Sequence, residues 1–400
     1  MISFKEAQNT VLDSTPILDQ SEIRVDKIYS GVLAEDIKAK EDIPLFTNSA
    51  MDGFALRSRD TVHVPAALKL KGCIKAGDYP AFTVGRGEAA KIMTGAFLPP
   101  GADAVVMVEE TEEKAGEVIV KKAVKKGENV RFKGEEIKKG QVALNKGTKL
   151  NPAAAGFLAA LGYEKVWIFS KPRVALLITG NELIKPGEEI KPGKTWESNS
   201  VSLQAALADL NISPLSLGTA RDSEPDLERG VKKGLSSSDI LIISGGVSVG
   251  KYDLVQEILL REGVKRIFWR VAIKPGKPLF FGKKEKTLVF GLPGNPVSAL
   301  VTFLEFVRPA ILKMMGQKEF FLKEKEAILE HEFHKKSDRS YLLRGFVQEK
   351  KGTLQVKSTG SQQSHMLSSF ARANCLIYLD KDKVYFRPGE KVKIHILPWS

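Results

Sequence analysis

Between residues 172 and 318 the chain alternates short, uniformly apolar runs with amphipathic stretches, and few folds accept that pattern. Residues 173–178 are an unbroken apolar strand, 200–210 a helix, 213–217 a strand and 225–235 a helix. Residues 239–243 form a strand ending in SGGVSVG, followed by a helix over 254–262, strands at 266–271 and 287–291, and a long helix over 297–315. Strands apolar on both faces must be covered on both faces, so the segment predicts a parallel sheet with helices on each side. In such a sheet the ligand sits outside the carboxyl ends of the strands.

The flanking sequence has a different character. Residues 43–142 carry short β-type runs at 68–74, 88–93, 104–108 and 117–120, broken by Gly and Pro. Helical patterning lies on either side: Phe4, Ala7, Val11 and Leu12 before Pro16, and a second helix around 151–161 with Pro152 at its first position. The simplest account inserts a β-rich module (43–142) into a mixed helical and β N-terminal domain made of 1–42 and 143–171. The α/β domain spans 172–318, and 319–400 returns to short strands, predicting a β-barrel or sandwich. The fold class is multidomain α/β plus β.

Composition removes several function classes. Two cysteines and five histidines without CxxC or zinc spacing argue against a disulfide framework or a structural zinc, as in a reducing cytoplasm. The N-terminal MISFKEAQNT lacks a signal-peptide pattern, and the most apolar stretch, 288–307, contains Pro293, Gly294, Asn295, Pro296 and Glu305. No membrane association is expected. The net charge of +13 favours anionic partners, but no motif or aromatic–basic interleaving supports nucleic acid.

The loops after the strands carry the chemistry. In SGGVSVG (244–250), Gly245, Gly246 and Gly250 permit close approach of backbone N–H groups to an anion, and Ser244 and Ser248 add hydroxyls. It is neither a dinucleotide fingerprint nor a P-loop. IKPGKPL (273–279) presents Lys274 and Lys277 on a proline-stiffened loop suited to phosphate or an oxyanion. GLPGNPVSA (291–299) opens the long helix and exposes its N-terminus, another anion-receptive feature, with Pro293, Asn295 and Pro296 in the turn. Glu182, Asp222 and Asp253 each follow a strand, so a parallel sheet would gather them at one edge. Clustered carboxylates of this kind hold a cation, most often Mg²⁺ where phosphates are present. Taken singly, each is equally a helix cap. In the inserted module, Asn48, Ser49, Asp52 and Thr94 read, on residues alone, as turn formers.

In this order, NSAMDGFA, MTGAFLPPGADAVV, VRFKGEEI, TGNEL, SGGVSVGKYD, IKPGKP, GLPGNPVSA and SHMLSSFARANC resemble the molybdopterin molybdenumtransferase family, MoeA in bacteria and the gephyrin E-domain in animals. The resemblance spans essentially the whole chain. It implies an elongated homodimer of four-domain subunits, with the sheet domain of one subunit facing the inserted module of the other. The substrate would be adenylylated molybdopterin, into which molybdate or tungstate is inserted with release of AMP and Mg²⁺ assisting. Asp52, Glu182, Asp222 and Asp253 match the family's acidic positions, with Asp222 and Asp253 as the Mg²⁺ candidates. Lys274 and Lys277 match its basic pair, and Lys277, Ser298, Arg339 and Ser364 its molybdate-holding positions. Substrate contacts are expected from Thr94, Ser244, Gly245, Gly246, Ser248, Gly250, Pro293, Asn295 and Pro296. Implied partners are the upstream adenylyltransferase and molybdoenzyme chaperones.

The chain departs from the family pattern at Glu136, where relatives often carry Asp, at Ser361, where many carry His, and at Asn181, where Asp is frequent. Two other readings fit parts of the sequence. One is molybdopterin adenylylation, since the sheet domain is similar to that family too. The other is a non-catalytic scaffold binding pterin or partner proteins.

Overall fold

The computed structural model describes residues 1–28, 31–246, 254–336 and 338–400. It divides into two compact units, one of residues 1–22, 30–34 and 167–400, the other of 23–29 and 35–166.

The first unit is built on a six-stranded sheet. Its elements are β1 (Val174–Thr179), α1 (Asn199–Ala208), β2 (Leu215–Ala220), α2 (Glu224–Ser237), β3 (Ile240–Ser244), α3 (Leu254–Arg261), β4 (Lys265–Arg270), β5 (Pro278–Lys284), β6 (Thr287–Leu292) and α4 (Pro296–Thr302). The spatial order is β2-β1-β3-β6-β5-β4. The first four of these run parallel, whereas β5 is antiparallel to both β6 and β4. Strand β5 is absent from the expected set. Its sequence, PLFFGKK, starts at Pro, ends in lysines and carries Gly282, so it shows no period to recognise. Alternation along the central strands feeds two cores. Leu176, Ile178, Ile242 and Phe290 pack on one side, and Leu177, Leu241, Ile243 and Val289 on the other.

The expected long helix over 297–315 is interrupted. After α4 the chain makes a π-helical turn, Phe303–Val307, and then resumes as Arg308–Met314. Pro309 has no N–H to give the carbonyl of Glu305, and that carbonyl instead accepts from Gln8 Nε2 at 3.4 Å. Gln8 lies on the N-terminal helix Phe4–Ser14, which begins with a Ser3–Glu6 capping box and buries Phe4, Ala7 and Val11. The Glu305 carboxylate is 1% exposed; it accepts from Gln8 Nε2 at 3.1 Å and lies 2.7 Å from His395 Nδ1.

His395 belongs to a closed five-stranded barrel. Ser340–Lys350 pairs with Thr353–Ser358 and with Cys375–Leu379, and Glu324–Leu329 and Lys391–Ile396 close the ring. A short strand from the sheet region, Ile273–Lys274, adds to this barrel in parallel with Ser340 and Tyr341.

The second unit centres on its own six-stranded sheet, including Gly53–Leu56, Ala66–Ile74, Glu88–Ile92, Ala104–Met107 and Glu117–Val120. Gly53 pairs so closely that a Cβ there would stand 1.9 Å from the Val106 carbonyl oxygen, so no other residue fits. Among the described residues no helix is long and apolar enough to cross a membrane.

Burial depresses the His395 pKa, but the charge and hydrogen bond of the adjacent Glu305 carboxylate, with Glu324, together raise it above the ordinary imidazole value. A raised folded-state pKa adds stability that is complete below the unfolded value of about 6.5 and is lost as pH rises through the folded one. Urea unfolding should therefore show the stability difference between the parent and His395→Gln shrinking as pH rises above about 6.5. A difference that is constant or grows over that window contradicts the charged pair.

Candidate active site

The carboxyl ends of β1, β2, β3 and β6 open into a cavity of about 880 Å³. Each strand delivers its end or the loop after it: Thr179 at the end of β1 and Glu182 beyond it, Asp222 after β2, Ser244 to Gly246 from β3, and Pro293 to Pro296 after β6. The loops are stitched to one another. Asn181 N donates to Asp222 Oδ2 at 3.2 Å, and Asp222 N donates back to Asn181 Oδ1 at 3.1 Å. Asp222 is thus engaged with the neighbouring loop, and the helix that follows it has no side-chain cap. Asn199, at the start of α1, donates to Ser244 Oγ at 2.9 Å and to the Gly294 carbonyl at 2.8 Å, joining the two glycine-containing turns.

Gly245 and Gly246 have φ of +99° and +64°. A Cβ at Gly245 would meet the Thr179 carbonyl at 2.4 Å, and one at Gly246 would meet Val255 at 2.5 Å. Glycine is required twice here, by backbone conformation and by space. Ser248, Gly250 and Asp253 lie outside the described residues.

A second cavity of about 570 Å³ adjoins the first. Lys274, Lys277, Ser298, Arg339 and Ser364 all line it, and it shares Pro278, Pro293, Asn295 and His365 with its neighbour. The barrel brings half of this set. Pairing of Ile273–Lys274 with Ser340 and Tyr341 draws the lysine loop against the barrel, where Arg339 Nη1 donates to the Ile273 carbonyl at 3.3 Å. Lys274 Nζ lies 4.9 Å from the Tyr341 ring centre, a cation–π distance. Ser364 is held by its backbone, its carbonyl accepting from Val297 N at 3.2 Å in the first turn of α4.

The loop carrying Ser364 is organised by a residue the sequence reading passed over. Arg344 is 0% exposed in the barrel wall. Its guanidinium donates to the carbonyls of Ser361 (3.1 Å), Gln362 (3.3 Å) and Gln363 (3.0 Å) and to Ser369 Oγ (3.1 Å). Burial pushes its pKa down to about 10, which leaves it charged at neutral pH. The detectable signal was a charge inside the apolar run YLLRGF (341–346), since a cation at a core position needs a dedicated partner set. Asn199 and His365 offered no comparable signal.

The two cavities differ in charge. Among the described residues, the acidic side chains lining the first are Glu182, Glu197, Asp222 and Glu257, and no Lys or Arg joins them. The charged residues lining the second are Lys274, Lys277 and Arg339. Glu197 is spent on α1, accepting from Ser200 N at 2.7 Å and from Ser200 Oγ. Carboxylate oxygens suit a hard cation such as Mg²⁺, which takes one or two carboxylates and keeps the rest of its shell as water and phosphate. The described residues contain no cluster of three acidic, His or Cys side chains close enough to enclose a metal by themselves.

Asp52 and Thr94 belong to the second unit and line neither cavity. They bind one another: Asp52 Oδ1 accepts from Thr94 N at 2.7 Å and from Thr94 Oγ1 at 3.0 Å, which holds its pKa below the usual carboxylate value.

Removing the Arg344 fork strands three inward-facing carbonyls. Arg344→Met should lower the unfolding free energy by about 3 kcal/mol in urea titrations. A loss under about 0.5 kcal/mol would mean that the 361–363 loop is held by other contacts.

Comparison with known proteins agrees along the whole chain. Residues 2–162 match the MoeA N-terminal region (domain I and II), 175–313 a probable molybdopterin binding domain, and 326–397 the MoeA C-terminal region (domain IV). The molybdopterin molybdenumtransferase of Haemophilus influenzae is 36% identical over 98% of both chains. That of Staphylococcus epidermidis is 34% identical over 98% of this chain and 95% of its own. The crystal structure of the molybdopterin biosynthesis MoeA protein from Pyrococcus horikoshii superposes with a TM-score of 0.83 at 32% identity, covering 99% of this chain and 100% of that one. With the sheet, the barrel and the β-rich unit all accounted for, the chain belongs to the molybdopterin molybdenumtransferase (MoeA) family.

Proposed function

We propose that this protein is a cytoplasmic, homodimeric molybdenum insertase that converts adenylylated molybdopterin and molybdate, or tungstate, into the finished cofactor and AMP. The observation that carries the reading is the pair of adjoining cavities, one lined with carboxylates and one with cations, which meet at Pro293, Asn295 and His365. A tetrahedral dianion suits the second, where Lys277 and Arg339 supply charge and Ser298 and Ser364 supply hydroxyls. The nucleotide-activated pterin suits the first, its phosphates reaching toward the lysine loop. In this reading the four segments 1–42 with 143–171, 43–142, 172–318 and 319–400 are the structural subdivisions. Asp52 and Thr94 act from the inserted module.

Mg²⁺, held by Asp222 with Asp253, would offset the charge of the phosphoanhydride when bound. The residues of the chain do the rest. Asn181 fixes the Asp222 carboxylate toward the cavity, Lys274 and the turn at Ser244 to Gly246 hold the phosphates, and Lys277, Ser298, Arg339 and Ser364 orient the oxyanion beside the dithiolene. An oxygen of molybdate or a water attacks the phosphoanhydride and its bridging P–O bond breaks; where molybdate attacks, water then cleaves the P–O–Mo link, so AMP and the pterin phosphate are released, and the two dithiolene thiols displace molybdate oxygen as water. Closeness of the two substrates, not a covalent enzyme intermediate, supplies the acceleration.

The test is molybdate-dependent AMP release from adenylylated molybdopterin, with tungstate run in parallel. Release should occur with at least one oxyanion. Asp222→Ala should slow it by about a hundredfold, and Lys277→Ala should raise the half-saturating oxyanion concentration at least about tenfold. A folded protein that binds the pterin but releases no AMP with either oxyanion would contradict the insertase reading and favour a binding role.

A further inference from the structure

Asn199 opens α1 between the two glycine-containing turns of the first cavity, which it lines, and it is 8% exposed. Both hydrogens of its side-chain amide are committed to the wall, one to Ser244 Oγ at 2.9 Å and one to the Gly294 carbonyl at 2.8 Å. A carbonyl only accepts, so the amide nitrogen has to face Gly294 and chemistry fixes which way the group points. Ser244 extends the chain, its hydroxyl donating onward to the Pro293 carbonyl at 3.4 Å. That leaves Oδ1. No donor among the described residues reaches it, and it is not one of the unpartnered polar atoms shut off from solvent. In a residue otherwise enclosed, the accessible side of the amide is the side toward the cavity. A neutral acceptor is thus held at the cavity wall with nothing in the protein to use it.

The kind of ligand follows from the polarity of that atom. Phosphate oxygens are acceptors themselves, so Oδ1 does not serve the phosphates, and as a neutral atom it sets no like charge against them. It calls for an O–H or N–H. In a nucleotide the donors nearest the phosphate are the ribose hydroxyls, and the base amine lies a ring further away. We propose that Asn199 is a substrate-binding residue whose Oδ1 accepts a hydrogen bond from a ribose hydroxyl of the adenylylated pterin. The inference rests on the assignment of the first cavity to that substrate, with its phosphates at the turns 244–246 and 293–296. A residue that only stapled the two turns together would be indifferent to the sugar.

The parent and Asn199→Ala are titrated calorimetrically with AMP, 2′-deoxy-AMP and 3′-deoxy-AMP, each with Mg²⁺ and with EDTA, and their thermal unfolding is recorded. The parent should bind one of the deoxy nucleotides about tenfold more weakly than AMP, with or without Mg²⁺. Asn199→Ala should bind all three within about twofold of one another, because the partner of the hydroxyl is gone. Comparing nucleotides within each protein cancels any loosening of the turns, which acts on all three alike, and the parent titration needs no variant to fold. A parent that binds the three nucleotides equally would overturn the proposal. So would Asn199→Ala that keeps the tenfold preference, and so would a preference seen only with Mg²⁺, which would make Oδ1 a ligand of the cation. Binding of AMP without regard to the hydroxyls would refute the role of Asn199 alone, whereas a folded parent that binds no AMP would refute the assignment of the cavity and the proposal with it.

Discussion

In the middle of the sheet, Val174–Thr179 pairs in parallel with Leu215–Ala220 on one side and Ile240–Ser244 on the other, and the latter pairs in turn with Thr287–Leu292. Most of these residues are buried against helices on both faces, so their backbone polar groups are satisfied by the ladder alone. Parallel pairing also brings the carboxyl ends of four strands to one edge. Polar residues excluded from the interior emerge there together. Glu182, Asp222, Ser244 and Asn295 become neighbours because their strands are neighbours, although more than 110 residues separate Glu182 from Asn295 in sequence.

The second constraint is the joint between sheet and barrel. Two residues, Ile273 and Lys274, continue the barrel wall, and this single parallel pairing decides that Lys277 and Arg339 share a cavity. Arg344 completes the arrangement from inside the wall by gathering three successive carbonyls, so that Ser364 follows from a fixed turn. Separation of charge between the cavities follows from this division of labour. The sheet loops contribute carboxylates and the joint contributes cations. In the proposed function this division receives two anionic substrates side by side, one directly by cations and the other with a hard cation's help.

Much of this was legible in the sequence because it is periodic or because it follows a strand. Apolar runs such as VALLIT and ILIIS announce buried strands, and the loops after them fell where strand order put them. Grouping Lys277, Ser298, Arg339 and Ser364 came from family resemblance, since no periodicity links a sheet loop to a barrel loop. Three features stayed hidden for physical reasons. The π-helical turn at Glu305 depends on partners at positions 8 and 395, the strand Pro278–Lys284 has no alternation, and the partners of Arg344, whose charge in an apolar run does mark it, are backbone carbonyls that leave no trace in side-chain identity.

The central claim is that the two cavities hold different substrates at the same time. Calorimetric titration of molybdate into protein already saturated with AMP and Mg²⁺ tests it directly. The account predicts that molybdate still binds, that Lys277→Ala weakens molybdate without displacing AMP, and that Asp222→Ala does the reverse. Protein that takes up molybdate only in the absence of AMP would show that the oxyanion and the nucleotide compete for one site, and would contradict the account.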